Sequence, residues 1–137
     1  MSDLETKMRA SVQAYFDLYN VKDAKGIADM FADDATVEDP FGTEPKRGKA
    51  EILKFYTMAM DTQATLERLG ETRIAANIAA FPFAVEIGNL NAENTAVDVD
   101  LPAGSMRIEV IDTFEFNDAG KITSMKAYWG PSNITKG

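Results

Sequence analysis

Apolar residues recur at spacings of four and three through the first twenty positions: Leu4, Met8, Val12, Tyr15 and Tyr19. That period puts them on one stripe and predicts an amphipathic helix. Asp23 is placed to cap a short second helix carrying Ile27, Met30 and Phe31, which Asp33-Asp34 ends in solvent. Ala35 to Asp39 reads as a short strand stopped by Pro40, and Phe41-Gly42 begins a loop. Gly48 precedes a third helix, in which Ile52, Phe55, Tyr56 and Ala59 share a side.

Beyond that helix the period changes from helical to two, the mark of strands. Phe81, Phe83, Val85 and Ile87 alternate with smaller or polar residues. Ser105 to Phe116 is a long strand, Asn117-Asp118-Ala119-Gly120 a turn, and Lys121 to Trp129 the last strand. Between them, Gly88 to Gly104 is polar and acidic, either a long hairpin loop or an extra strand pair. In it Asp98 and Asp100 alternate with Val97, Val99 and Leu101 as a solvated strand face would, and they lack the spacing of a calcium loop. Three helices followed by a mostly antiparallel sheet predict an α+β fold with the helices on one face. At 137 residues, with no repeat and no linker, positions 1–137 read as one domain.

Alternation also fixes direction. On the long strand Met106, Ile108, Val110, Asp112, Phe114 and Phe116 point one way, and Asp112 alone of these is polar. A carboxylate there is costly to desolvate unless it is paired or protonated. A bulge that turns it outward, an internal ion pair and a functional role all remain open. Asp39 shares a face with Ala35 and Val37, yet Asp-Pro commonly starts a turn, and read alone it is a turn residue. Tyr15 and Tyr56 lie on apolar helix faces, where a tyrosine is ordinarily core with its hydroxyl satisfied nearby.

Composition narrows the chemistry. There is no Cys and no His, which excludes thiolate nucleophiles, thiolate metal sites, Ser-His-Asp catalysis and most zinc catalysis. Proton transfer would fall to Asp, Glu, Tyr or Lys. A net charge of -8 argues against nucleic acid and against electrostatic docking on anionic lipid. No run approaches the roughly 20 apolar residues of a membrane helix. The acidic start, Met1-Ser2-Asp3-Leu4-Glu5, has no apolar signal core, so a soluble cytoplasmic protein is expected.

The run Ala32-Asp33-Asp34-Ala35-Thr36-Val37-Glu38-Asp39-Pro40-Phe41-Gly42 closely resembles the corresponding run of bacterial steroid Δ5-3-ketosteroid isomerases. Val110-Ile111-Asp112 and Ala127-Tyr128-Trp129 resemble two later runs of that family, in the same order. The resemblance implies a cone-shaped, barrel-like fold of the nuclear transport factor 2-like type, a deep apolar pocket between sheet and helices, and a homodimer. It implies Asp39 as the base, Tyr15 and Asp112 as oxyanion donors, and Tyr56 as a tyrosine bonded to Tyr15. Phe55, Phe83 and Trp129 match apolar pocket positions, and Val110 and Phe114 flank Asp112 on its apolar face as further wall residues. In that family a carboxylic acid kept neutral by an apolar site donates a hydrogen bond to the developing enolate, so this explanation of Asp112 comes with the resemblance. The activity implied is a proton shift that converts a Δ5-3-ketosteroid, or a similar apolar unconjugated enone, to its conjugated isomer, with no metal or organic cofactor.

Two departures stand out. Phe31 replaces a further tyrosine of the network, and the segment between Ile87 and Met106 is longer than in familiar members. The alternatives are a polyketide cyclase, a dehydratase or an epoxide hydrolase on the same fold, or a small-molecule-binding module without turnover. A dehydratase would ordinarily use His. An epoxide hydrolase would want an Asp-Arg-Asp set, for which Arg73 and Arg107 are the nearest candidates.

Overall fold

The computed structural model describes residues 2–136. Helix α1 (Asp3–Asn20) starts where the Ser2 side chain accepts from the Glu5 amide at 3.0 Å, and it buries Met8, Val12, Tyr15, Phe16 and Tyr19. Helix α2 (Ala24–Ala28) is capped by Asp23 through the Gly26 amide, 2.8 Å away. Helix α3 (Gly48–Asp61) buries Ile52, Phe55, Tyr56 and Met60. Gly48 opens α3 at φ +83°, a conformation that favours glycine.

The strands are β1 (Phe31–Glu38), β2 (Lys46–Arg47), β3 (Thr65–Arg68), β4 (Arg73–Ala75), β5 (Ile78–Leu90), β6 (Gly104–Phe116), β7 (Ile122–Tyr128) and β8 (Ile134–Lys136). They form a mixed, unclosed sheet in the order β2-β1-β7-β6-β5-β3, with β4 beside β5 and β8 beside β6. The β1–β7 pair is parallel and the other pairs are antiparallel. The three helices pack on one face, as the sequence predicts for an α+β chain.

Two expectations change and one open choice is resolved. Phe31 belongs to β1 and not to the second helix, which ends at Ala28; Asp33 and Asp34 are exposed positions within the strand. The apolar Phe31 ring is needed in the core, where it lies 6.2 Å from Tyr56 and 6.4 Å from Phe114. Strands β3, β4 and β8 had too few alternating residues to be read from sequence. Residues 91–103 are the long hairpin loop and not an extra strand pair: β5 runs on to Leu90, the antiparallel β6 begins opposite it at Gly104, and the intervening chain is turns and coil.

The core lies between the helices and the inward face of the sheet. On β6 every alternate residue from Met106 to Phe116 is buried, while Glu109, Ile111 and Glu115 face outward and are exposed. Asp112 keeps this register, opposite Phe81 on β5 and Ala127 on β7, so no bulge turns it out.

Candidate active site

The inward face of the sheet and the helices enclose a cavity with about 680 Å³ of empty space, counted out to its open mouth. Its wall is almost wholly apolar, and the polar side chains that interrupt it include Tyr15, Tyr19, Asp39, Tyr56 and Asp112. The fold brings them from four elements. Helix α1 supplies the two tyrosines four residues apart, α3 supplies Tyr56, β6 supplies Asp112, and Asp39 follows the last residue of β1. Because β1 runs parallel to β7, and β7 pairs with β6, Asp39 and Asp112 lie in one band across three strands with Ala127 between them.

Asp112 is 1% exposed, and neither carboxylate oxygen has a hydrogen-bond partner. Burial first, and the nearby Asp39 second, push its carboxyl well above the ordinary range. The internal ion pair left open by the sequence is therefore absent among the described residues. A buried carboxyl without a partner costs stability unless it is neutral or meets a ligand.

Asp39 sits in a different setting. The Trp129 indole N–H donates to its Oδ1 at 2.7 Å. Burial pushes the Asp39 carboxyl up to about 6, against the opposing pull of the Trp129 hydrogen bond and of Lys46. The Asp39–Pro40 peptide bond is cis, and the Phe41 amide donates to Ala127 O at 2.7 Å, fastening the turn to β7.

Tyr15 and Tyr56 share a hydrogen bond of 3.0 Å between their hydroxyl oxygens, and burial raises both phenols above their ordinary range. One of the two phenol protons is used in the bond between them, so one hydroxyl is left to donate outward, beside a carboxyl that burial biases toward its protonated form and a second that ionises at about 6. Such a set can take a proton at one point and stabilise an oxyanion at another.

Phe55, Phe83, Val110 and Trp129 line the cavity; Phe114 does not. Its ring lies 5.1 Å from Tyr15 and 4.9 Å from Phe81, edge-on to both, so it braces Tyr15 from behind the wall. Arg107 is on the outer face with Glu67, Glu86 and Glu109, and Arg73 is exposed on β4; neither reaches the cavity. Tyr19 is a further wall residue, and its place four residues after Tyr15 on the same helical stripe is the signal for it. Trp129 is more than apolar wall, because its indole N–H is a donor to Asp39.

A model of the SnoaL-like domain matches residues 12–125. The chain belongs to the SnoaL-like family. Its fold is the nuclear transport factor 2-like one that the resemblance implied. A steroid Delta-isomerase of Nocardioides simplex is 32% identical over 131 residues, covering 96% of each chain. Among solved structures, SalBIII matches along the full length of both chains, with a TM-score of 0.83 and 28% identity. SalBIII is an epoxide hydrolase/cyclase-like enzyme with a role in pyran ring formation in the polyether salinomycin. No described helix is long and apolar enough to cross a membrane.

Proposed function

We propose that this protein is a cofactor-independent isomerase that moves a proton beside the carbonyl of an apolar, unconjugated cyclic enone, of which a Δ5-3-ketosteroid is the model substrate. The observation that carries the reading is Asp112: a buried, partnerless carboxyl in an apolar wall, on the same cavity as a second carboxyl that ionises near neutrality. The likeness to a steroid Delta-isomerase along nearly the whole chain supports the same reaction class.

In this reading Asp39 takes the proton from the carbon between carbonyl and double bond. Electron density moves to the carbonyl oxygen and gives a dienolate. Tyr15, held by Tyr56, and the neutral Asp112 donate hydrogen bonds to that oxygen. Asp39 then returns the same proton two carbons further on, and the enone is conjugated. The base faces both carbons from one wall, so a small displacement of its carboxyl serves both transfers. Its pKa near 6 leaves it largely ionised at neutral pH, yet basic enough to accept a proton.

The SalBIII likeness keeps epoxide opening or cyclisation as the competing chemistry. The absence of any arginine among the described residues lining the cavity speaks against the Asp-Arg-Asp arrangement considered from sequence. An ultraviolet assay decides between them: an unconjugated Δ5-3-ketosteroid should gain the absorbance of a conjugated enone in the presence of the protein. Turnover of an epoxide with no change in the enone would reject the isomerase reading.

Homodimerisation belongs to the same proposal. Ile111 and Tyr128 are register partners on the outer sheet face, 49% and 42% exposed, and the Phe41 ring stacks on Tyr128 at 5.3 Å. This exposed apolar group suits burial against a second copy.

A further inference from the structure

The segment from Asn91 to Ala103 has no regular structure, yet it reaches the site. Asn94, Ala96, Val97 and Leu101 all line the cavity that holds Tyr15 and Asp112. It leaves β5 after Leu90 and rejoins β6 at Gly104, at the end of that strand pair away from Asp112. Ile108, the cavity-lining residue of β6 nearest that end, is four positions from Asp112, about 13 Å along the strand. The segment therefore crosses the side of the cavity opposite the oxyanion donors.

Two sets of contacts hold it there. Asn94 is 2% exposed; its Oδ1 accepts from the Asn91 amide at 2.8 Å and its Nδ2 donates to Asn89 O at 3.0 Å. The side chain thus closes the turn by which the chain leaves β5. Further on, the Lys46 amine meets Asp98 at 3.0 Å, tying the segment to β2. Lys46 is opposite Val37, two residues before Asp39, so the tie reaches the base's side of the cavity. Between the two fixed points Ala96 and Val97 turn hydrocarbon inward, while Asp98 itself and Asp100 beyond it stay exposed. The two acids are solvated as the sequence predicts, though on coil and not on a strand, and the reverse side of the segment is a wall of the site.

We infer that residues 91–103 are the specificity-determining wall of this cavity, in which Val97 and Leu101 contact the hydrocarbon of the ligand remote from its carbonyl and the Lys46–Asp98 pair latches the wall closed. The inference rests on the proposed placement of the carbonyl oxygen between Tyr15 and Asp112. A ligand anchored there must extend toward the segment, because the deep end is filled by Phe81 and Phe114. The amide of Asn94 is committed to backbone, and the Thr62 hydroxyl, also in the wall, donates to Ala59 O at 2.6 Å. That part of the wall offers hydrocarbon contact to the ligand.

Binding separates this inference from the question of turnover. Trp129 is the sole tryptophan and lines the cavity, so its fluorescence reports occupancy directly. Phenols of one, two and four fused rings, anchored by the hydroxyl, form a series of increasing reach. Leu101→Ala should leave the one-ring phenol unchanged and weaken the four-ring phenol about tenfold or more, as expected for lost hydrocarbon contact. Val97→Ala, a smaller truncation, should show the same dependence on length to a lesser degree. Asp98→Asn should speed release of the four-ring phenol about twofold to fivefold in stopped flow, the range of a partly exposed ion pair. A length dependence in binding without isomerisation would leave the wall standing and reject only the isomerase reading. Equal effects on short and long phenols, or none on either, with the variants folded by circular dichroism, would overturn the wall.

Discussion

Asp39 and Asp112 carry the same side chain in two different surroundings. Asp39 keeps one indole donor and the pull of Lys46, and its carboxyl stops at about 6. Asp112 has neither, and burial together with the nearby Asp39 pushes its carboxyl further up. Asp39→Asn keeps shape but cannot accept a proton; turnover of an unconjugated ketosteroid should fall at least about a hundredfold while a bound phenol keeps its affinity. Asp112→Asn retains a donor and should be milder than Asp112→Ala, whose loss is on the order of 3 kcal/mol in the barrier. Infrared difference spectra of the phenol complex, with Asp112→Asn as control, should show a protonated acid at neutral pH. For the wild type, kcat/KM should rise with pH through about 6 as Asp39 ionises, then level off. Stability runs the other way. Between 3.8 and about 6 the folded chain holds a proton that the unfolded chain has released, so this group's contribution falls as pH climbs through that window. The shift is worth at most about 3 kcal/mol. Asp39→Asn should remove that part of the slope in urea unfolding measured across the same range.

Strand β6 shows how far alternation reaches. Its inward residues were legible one by one, and burial follows the pattern from Met106 to Phe116. What alternation could not say is which inward residues meet empty space and which meet another layer. Val110 faces the cavity, whereas Phe114, four residues along the same face, meets the ring of Tyr15. Phe114→Ala should therefore cost about 3–5 kcal/mol in chemical denaturation, the usual range for a buried aromatic. It should also reduce kcat more than it raises KM, because the ring that braces Tyr15 is gone. Unchanged stability would mean that Phe114 is not packed as described. The short strands β3, β4 and β8 were invisible for a different reason: each is recruited by a long neighbour, β5 or β6, and has little pattern of its own.

At the level of the molecule, the exposed pairing of Ile111 with Tyr128 and the stacked Phe41 make association testable without touching the cavity. Ile111 is on the outer face of β6, so Ile111→Glu should leave the fold intact and shift the protein from dimer to monomer in light scattering after size exclusion. A monomeric wild type would reject the dimer. The pattern of the chain alone was enough for an α+β layout, for the inward direction of Asp112 and for the absence of His and Cys chemistry, because period and composition are local properties. Local rules made Asp39 a turn residue, and it does lead from β1 into a turn; the role of base came only with the family-like run. Only the tertiary structure brought Trp129 to Asp39, from positions ninety residues apart, at 2.7 Å. Only it turned residues 91–103 from a polar loop into a cavity wall. Both depend on which strands lie side by side and which loop folds back, and those relations have no period in the sequence from which to read them.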